Sequence, residues 1–373
     1  MLQKGHLVPF RDGNFDYCYI PVDTEDGFTK FVKALQFCGG LLLRYLRKVW
    51  GMHEQRYSEY QQKLAQLQSH VESLQALPIP DEERSERMDI IEGEKNRLRQ
   101  EYRASIEVME VSFPAFQRIQ PYSKDVKSKE LLDIYLADIT YAALNRILFV
   151  RIAEDKGLLQ RKISNGGIGI WRKFVTYLKE NYQDLIRLAY QDAGHIYEHF
   201  FEEGIFDWYV KGNSELNETL ETILFLLNSF DLSQVNRDTL GDLYQEYLAP
   251  KERKKLGEFY TPREVVDYIL KHIGWKGEGT IIDPACGSGG FLVRAANVML
   301  DDLKQRGLSE EARLGAMKKV VGLDINPFAT HIAELNLLFL ILDIYMKAKE
   351  EAKTEDREFS LSRLPIYTID SLM

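Results

Sequence analysis

The segment TIIDPACGSGGFLVRAANVML, residues 280–300, constrains the fold of this chain more than any other part of its sequence. A short apolar run, Thr280–Ile282, predicts a buried strand that ends at Asp283, and a helical pattern begins near Phe291. Between them lie glycines 287, 289 and 290, which can adopt positive φ angles and let a ligand approach the backbone. The order of strand, glycine loop and helix is typical of a nucleotide-binding unit in an α/β fold.

This glycine loop differs from the phosphate-binding motifs that share its layout. Its spacing departs from the dinucleotide fingerprint GxGxxG, and no Walker-type lysine follows it. A compact GxGG turn after an aspartate suits a ligand that carries an ammonium group and no phosphate. The loop therefore favours a cationic ligand over a phosphorylated one.

A second predicted strand, Val320–Leu323, ends in an acidic residue, Asp324. Asn326 and Pro327 follow it and are typical of a helix start. In nucleotide-binding folds, an acidic residue at this strand tip holds the ribose diol. A helix-capping role for Asp324 is the alternative when the segment is considered by itself.

The segment GEFYTPREVVDYILKHIG, residues 257–274, predicts a helix before the first strand. Thr261 is placed to cap it, Pro262 to occupy its first position and Glu264 to complete a capping box. The helix should end at Gly274, and the residues expected on its buried face are Val265, Val266, Ile269 and Ile273. Alone, this segment indicates only a well-capped helix. Together, the three segments between residues 257 and 327 indicate a site for an adenosine that carries an amino-acid tail.

At these positions the chain resembles the γ-type adenine-N6 DNA methyltransferases, above all the large enzymes of type I and type II restriction–modification and related phage-defence systems. The segments that resemble their motifs X, I, II and III are LGEFYTP (256–262), DPACGSGGFL (283–292), GLDINPFA (322–329) and TIDSLM (368–373). The helical segments 147–159, 202–209 and 237–262 are similar to the region that precedes the catalytic domain in that group. The resemblance covers about residues 130–373, and the first 110 residues are unmatched.

The resemblance implies that the cofactor is S-adenosylmethionine. Asp324 would accept hydrogen bonds from the ribose hydroxyls, Ile325 would lie against the adenine, and Asp370 would bind the adenine amino group. The methionine end would be lined by Phe259, Tyr260, Thr261 and Pro262, and the methionine and sulfonium region would be cradled by Asp283, Pro284, Ala285, Cys286, Gly287, Ser288 and Gly289.

Members of this family carry a tetrapeptide [N/D/S]-P-P-[Y/F] after motif III, which holds the flipped target base. No such tetrapeptide occurs among the 373 residues, so no catalytic residue is predicted. We expect a truncated or split chain that holds the S-adenosylmethionine half of a site-specific enzyme and is inactive alone. The partners implied are DNA, a complementary polypeptide with the NPPY motif and the target-recognition domain, and other restriction or defence subunits.

Two other functions stay open at this point. The chain could be a non-catalytic subunit of a restriction or defence complex that mediates assembly or senses the cofactor. Methylation of protein or RNA is a further option, against which GEFYTP and the preceding helical region argue. No credible nuclease site is found, and the short motif Glu154–Lys156 is interpreted as a solvated helix end.

The predicted fold class is α/β: a partial Rossmann-like, S-adenosylmethionine-dependent methyltransferase sheet, preceded by an all-α helical region with a long αα-hairpin. The predicted division is a small N-terminal segment of unknown role (1–50), a helical hairpin broken by PIPDEE (51–110), a helical domain (111–250) and the cofactor-binding half (251–373). The glycine-rich NGGIGIW at 165–171 predicts a turn, and the neighbouring aromatic residues are expected in the helical core.

The composition predicts a cytoplasmic protein, and the resemblance implies that the cytoplasm is prokaryotic. The net charge of −9 requires any DNA-facing surface to be a local basic patch. Three cysteines without a CxxC pair exclude a cysteine-based zinc site, and His195 and His199 lack a nearby third ligand, so no metal is expected. A signal-peptide pattern is absent and no apolar run reaches about 18 residues, so no membrane association is predicted.

Overall fold

The structure is a computed structural model that describes residues 20–119, 127–174, 181–201, 204, 206–210, 214–235, 261–357 and 359–371. Phe259, Tyr260 and the predicted domain boundary at residue 250 lie outside the described residues. The part of the chain that the structure describes is mostly helical and contains two small parallel sheets.

A long helical hairpin forms the N-terminal part, as expected, but its first arm begins earlier than expected. Helix α1 (Glu25–Ala76) is continuous across residue 50 and through Gly39 and Gly40. Gly39 lies on the side of this helix that faces helix α5 (Ser128–Asp155), where a Cβ would lie 3.7 Å from Leu144 Cδ1. After a turn at residues 77–80, the second arm consists of α2 (Asp81–Glu101), α3 (Arg103–Ile106), a π-helix (Glu107–Ser112) and α4 (Phe113–Ile119).

The helical region is built around the buried helix α5 (Ser128–Asp155). This helix ends just before Gly157, whose φ is 80°. The helices that surround it are α6 (Gly167–Phe174), α7 (Tyr182–Gly194), α8 (Glu198–Phe201), a 3-10 turn (Trp208–Val210) and α9 (Ser214–Leu227). A short sheet pairs β1 (Ile20–Pro21) with β2 (Phe230–Asp231). Six aromatic residues of this region pack into or against the core, as expected: Trp171, Phe200, Phe201, Phe206, Trp208 and Tyr209.

Two predictions for this region are wrong. The glycine-rich stretch at 165–171 is mostly helix, because α6 begins at Gly167 and the turn is confined to the residues before it. Glu154 is not a solvated helix end, since only 2% of its surface is exposed. Its carboxylate instead accepts hydrogen bonds from the backbone N–H groups of Lys162, Ile163 and Ser164, at 2.9, 3.1 and 2.7 Å.

The C-terminal part alternates strands and helices around a three-stranded parallel sheet of order β3-β4-β5. Its elements are α10 (Arg263–His272), β3 (Ile281–Asp283), α11 (Gly290–Gln305), α12 (Glu310–Ala316), a 3-10 turn (Met317–Lys319), β4 (Val320–Asp324), α13 (Pro327–Thr354) and β5 (Ile366–Thr368). In this three-stranded sheet β3 is an outer strand, so Ile282 is 58% exposed. The prediction that this strand is buried is therefore wrong at Ile282.

Helix α13 joins the sheet to the helical region. Asn326 caps it through a hydrogen bond to the Phe328 N–H, and Pro327 occupies its first turn, as predicted. By length and composition it could cross a membrane, but 83% of its most apolar window is buried inside the protein. It packs against α5 through Phe339 and Phe149, whose ring centroids are 6.1 Å apart. The described residues on both sides of α13 therefore share one hydrophobic core.

Candidate functional site

The glycine loop after β3 is tied to the tip of β4. The backbone N–H of Gly287 donates to Asp324 Oδ2 at 2.8 Å, and the N–H of Cys286 donates to the Leu323 carbonyl at 2.9 Å. Asp324 Oδ1 accepts a third bond from the Asn326 N–H, also at 2.8 Å. Because β3 and β4 are parallel, their carboxyl ends meet at one sheet edge, and the structure brings the two predicted loops together there.

Two glycines of the loop adopt positive φ angles, 52° at Gly287 and 84° at Gly289. A Cβ at Gly289 would lie 3.0 Å from both the Cα and the Cβ of Ala333, so this backbone rests directly on α13. A Cβ at Gly287 would have nothing within 4 Å, so this position faces open space. Between them, the carbonyl of half-buried Ser288 accepts a hydrogen bond from Asn336 Nδ2 at 3.0 Å.

Asp283, at the end of β3, is half-buried and close to a second carboxylate. Its Oδ1 accepts a hydrogen bond from the Ala285 N–H at 3.2 Å, while Pro284 and Ala285 are exposed. Burial, and secondarily the charge of Asp324, raise the pKa of Asp283 above its ordinary value of 3.8. Two carboxylates at one sheet edge make the site electronegative, which favours a cationic ligand.

Cys286 is buried beneath the loop and is not available as a nucleophile. Its side chain is 6% exposed, and burial, with smaller effects from Asp324 and Asp283, raises the pKa of its thiol to about 12. A Cβ at Gly322, on the neighbouring strand, would lie 3.1 Å from Cys286 Sγ and 2.5 Å from Leu292 Cδ1. The glycine in β4 therefore allows this close packing of the loop.

The third strand brings further groups to the same edge. The Ile369 N–H, just after β5, donates to the Asp324 carbonyl at 2.9 Å, and half-buried Asp370 follows it. Ile325 and Ile369 leave 40% and 53% of their surfaces exposed. The structure thus brings together Asp283, the glycine loop, Asp324, Ile325 and the segment that contains Asp370, which the sequence assigned to one ligand.

Helix α10 differs from its prediction in two respects. It begins at Arg263 with Pro262 as its N-cap, so Thr261 does not cap it. Of its four predicted core residues only Val266 is buried, whereas Val265, Ile269 and Ile273 are exposed by 44%, 36% and 63%. The helix ends before Gly274, whose φ is 69°, as predicted.

The buried face of α10 is shifted toward α11. Val266 and Leu270 pack on Ala295, and Asp267 forms a two-bond ion pair with Arg294 at 2.7 and 2.9 Å. Among the described residues, Thr261 forms no hydrogen bond to the glycine loop. Thr261 and Pro262 directly precede α10, which packs on α11, the helix that follows the glycine loop.

Residues that sequence reasoning missed lie mainly on α13. Asn336 supports the loop, and Thr330 Oγ1 is 2.8 Å from Thr368 Oγ1 of β5. The one usable signal was the polar Asn336 within the apolar run HIAELNLLFLIL. Within the described ranges no cluster of potential metal ligands occurs. The Nε2 atom of His199 lies 2.9 Å from Arg363 Nη2.

Most of this site, from Thr261 to Asn336, lies in a segment that matches a known family, whereas Ile369 and Asp370 lie beyond it. Residues 235–358 match the family model described as N-6 DNA Methylase. The methylase subunit of the Type I restriction enzyme MjaVII from Methanocaldococcus jannaschii is 31% identical over 129 residues, which are 34% of this chain and 20% of that protein. The adenine-specific methyltransferase PglX from Streptomyces coelicolor is 39% identical over 110 residues, 26% of this chain and 9% of that protein.

A solved structure of the Type IIL restriction–modification enzyme MmeI in complex with DNA has a TM-score of 0.36 and 17% identity, and covers 72% of this chain and 40% of that chain. The chain spans about a fifth of the length of the MjaVII subunit. The resemblance to adenine-N6 DNA methyltransferases of restriction–modification type is confirmed by the family match and these relatives.

Proposed function

We propose that residues 261–371 bind S-adenosylmethionine as the cofactor half of a restriction–modification DNA adenine-N6 methyltransferase. The observation that carries this proposal is the hydrogen bond from Gly287 to Asp324, which joins the glycine loop to the second strand tip. We also propose that β3, β4 and β5 form one side of a Rossmann-like sheet. Their parallel order and the loops at their carboxyl ends support this assignment.

The groups at the sheet edge fit the charges of this cofactor. A carboxylate has about four lone-pair sites, and the Asp324 side chain uses two of them for Gly287 and Asn326. The remaining sites are available to a ribose diol. Asp283 would pair with the ammonium group, and the open side of Gly287 leaves room for the methionine and sulfonium region. Bound S-adenosylmethionine would supply a methyl group activated by the positive sulfonium.

The remaining assignments follow the resemblance. Exposed Ile325 would cover the adenine, with Ile369 beside it, and Asp370 would accept a bond from the adenine amino group. The loop segment Pro284–Gly289 would surround the methionine, and Thr261 and Pro262, together with Phe259 and Tyr260, would close its end. Positioning of the donor is the main contribution that such residues make to methyl transfer.

We propose that the acceptor side of the reaction lies outside residues 261–371, on a further segment or a complementary polypeptide that carries the tetrapeptide of this family. The tetrapeptide that holds the target adenine in this family does not occur among the 373 residues. We infer that DNA, a polypeptide with the NPPY motif and a target-recognition domain, and other restriction or defence subunits are the partners in a prokaryotic cytoplasm. On this proposal the chain alone transfers no methyl group.

Calorimetric titration with S-adenosylmethionine tests the cofactor site. Wild type and the control variant Asp89→Ala, which changes an exposed aspartate on α2, should bind equally. Asp324→Ala should weaken binding at least tenfold. It removes the charged acceptor of the two proposed hydrogen bonds from the ribose hydroxyls, and each such bond is worth about 1.5–3 kcal/mol. Absence of binding by the wild type would refute the proposal.

Transfer of a labelled methyl group to DNA tests the division of the enzyme. The chain should methylate adenine only when the polypeptide with the NPPY motif is added. Methylation by the chain alone would refute the proposed division. Binding of S-adenosylmethionine without methylation in any reconstituted complex would favour the alternative, a non-catalytic assembly or cofactor-sensing subunit.

A further inference from the structure

Helix α13 supports the glycine loop from below. The Gly289 backbone lies against Ala333, so closely that a Cβ at Gly289 would come within 3.0 Å of the Ala333 Cα. One turn further along, Asn336 Nδ2 donates to the Ser288 carbonyl at 3.0 Å. The loop is therefore held by α13 as well as by the tip of β4.

The same turn of α13 carries a buried carboxylate that faces the helical region. Glu334 lies between Ala333 and Asn336 in sequence and is 5% exposed. Its Oε1 accepts a hydrogen bond from the Tyr197 hydroxyl, and its Oε2 lies 3.9 Å from His199 Nε2. Tyr197 and His199 lie at the junction of α7 and α8.

The Tyr197 hydroxyl also reaches the third strand of the sheet. It accepts a hydrogen bond from the Leu364 N–H at 2.9 Å, and the next residue, Pro365, accepts from the Gly322 N–H of β4 at 3.0 Å. Burial and the charge of Glu334 raise the pKa of Tyr197, so the hydroxyl stays protonated and can donate to the carboxylate. One side chain of the helical region thus bonds to two elements that frame the site.

Aromatic packing surrounds the buried Tyr197 and Glu334 at this junction. The His331 ring of α13 stacks on Phe200 of α8, with centroids 4.5 Å apart and planes 13° apart. Burial lowers the pKa of His331 to about 3, so this ring is neutral and packs as an aromatic group. In such surroundings a hydrogen bond that loses one partner leaves a buried polar group unsatisfied, which is costly.

We propose that Tyr197 is a positioning residue for the cofactor loop, and that it acts through Glu334 and α13. The helical region is then energetically coupled to the loop, so that the packing of one influences the affinity of the other. This inference rests on the proposed function only for the identity of the ligand. The coupling itself is a property of the unliganded chain.

The variant Tyr197→Phe removes the hydroxyl and keeps the ring. It leaves Glu334 Oε1 and the Leu364 N–H without their bonds to Tyr197, so α13 should hold the loop less firmly. The matched control is Tyr190→Phe, whose hydroxyl donates to the Ala143 carbonyl at 3.3 Å within the helical region. Both variants lose a phenol hydroxyl, but only the first loses bonds to elements of the site.

Hydrogen exchange of the full chain without ligand measures the first consequence. In Tyr197→Phe, peptides that cover residues 285–293 should exchange at least about fivefold faster than in the wild type. A factor of about five corresponds to the lower end of typical coupling energies between sites. Peptides from the buried part of α1 should exchange at the wild-type rate, and Tyr190→Phe should leave the loop unchanged. An unchanged loop in Tyr197→Phe, or an equal acceleration in α1, would overturn the inference.

Titration with S-adenosylmethionine measures the second consequence. Tyr197→Phe should bind at least about fivefold more weakly than the wild type, whereas Tyr190→Phe should bind like the wild type. Combined with Asn336→Ala, the effect of Tyr197→Phe should be less than additive, because both act on the same contact between α13 and the loop. If the wild type does not bind, the proposed function fails, and the exchange experiment still decides the role of Tyr197.

Discussion

The backbone N–H of Gly287 lies 2.8 Å from Asp324 Oδ2, and 37 residues separate the two in sequence. This bond links the loop of the first strand to the tip of the second. With the bond from Asn326 to Oδ1, it makes the Asp324 carboxylate a structural link as well as a candidate ligand group. The two roles can be separated experimentally, because the structural one does not depend on a ligand.

The substitution Asp324→Asn is expected to lower the free energy of unfolding by about 1–3 kcal/mol. An asparagine has one acceptor oxygen, so either Gly287 or Asn326 must face an amide N–H in place of an acceptor. Urea unfolding without ligand measures the change, and Asp89→Asn at an exposed position of α2 is the control. Equal stability of the two variants would show that the carboxylate does not hold the loop.

The loop glycines should respond differently to alanine. Gly289→Ala places a Cβ 3.0 Å from Ala333 at a φ of 84°, so left-handed strain and overpacking add to about 2–4 kcal/mol of lost stability. Gly287→Ala meets no atom within 4 Å, so only the strain, about 1–2 kcal/mol, should remain. Chemical unfolding of the two variants side by side tests this order. The reverse order would contradict the contact between the loop and α13.

The variant Asp283→Asn should be more stable than the wild type at pH 7. It should also bind S-adenosylmethionine about tenfold more weakly, as expected for the loss of a charge-assisted hydrogen bond worth about 1.4 kcal/mol. The folded pKa of Asp283 is raised above 3.8, so its ionisation opposes folding. The penalty is absent below pH 3.8 and develops as the pH rises through the folded pKa. Unfolding at pH 3 and pH 7 should therefore show a gain only at pH 7.

Both strand tips of the site could be predicted because their signals are local. Asp283 and Asp324 each follow an apolar run and precede a loop or helix start, and the structure has both at strand ends. Parallel strands then bring their carboxyl ends to one edge. The helix starts at Gly290 and Pro327 follow from the same local patterns.

The errors arose where a local pattern has more than one tertiary solution. The spacing of Val265, Ile269 and Ile273 gives an apolar face but does not reveal which helix covers it, and α11 instead covers Val266 and Leu270. The roles of Asn336 and Tyr197 depend on contacts 48 and 137 residues apart, which no local pattern encodes.

The buried carboxylate of Glu154 provides a test in the helical region. Glu154→Gln should cost about 2–4 kcal/mol of stability, because its amide nitrogen would face a backbone N–H of the segment 162–164. The control is Glu130→Gln, on the exposed first turn of the same helix, which should change stability by less than about 0.5 kcal/mol. Urea unfolding of both variants measures the difference. Equal unfolding midpoints of Glu154→Gln and Glu130→Gln would contradict the burial of Glu154.

The thiol of Cys286 should resist alkylation at pH 8.5 and destabilise the fold at higher pH. Its folded pKa is raised from 9.0 to about 12, chiefly by burial. At pH 8.5 the thiolate fraction is therefore roughly a thousandfold lower than that of a free cysteine, and the reaction with iodoacetamide should be slower by about the same factor. The raised pKa also means that its contribution to stability is complete below pH 9 and is lost as the pH rises toward 12. Cys286→Ala should therefore lose less stability between pH 8 and pH 10 than the wild type does. Peptide mass mapping measures the alkylation, and rapid labelling of Cys286 in the folded chain would contradict its burial beneath the glycine loop.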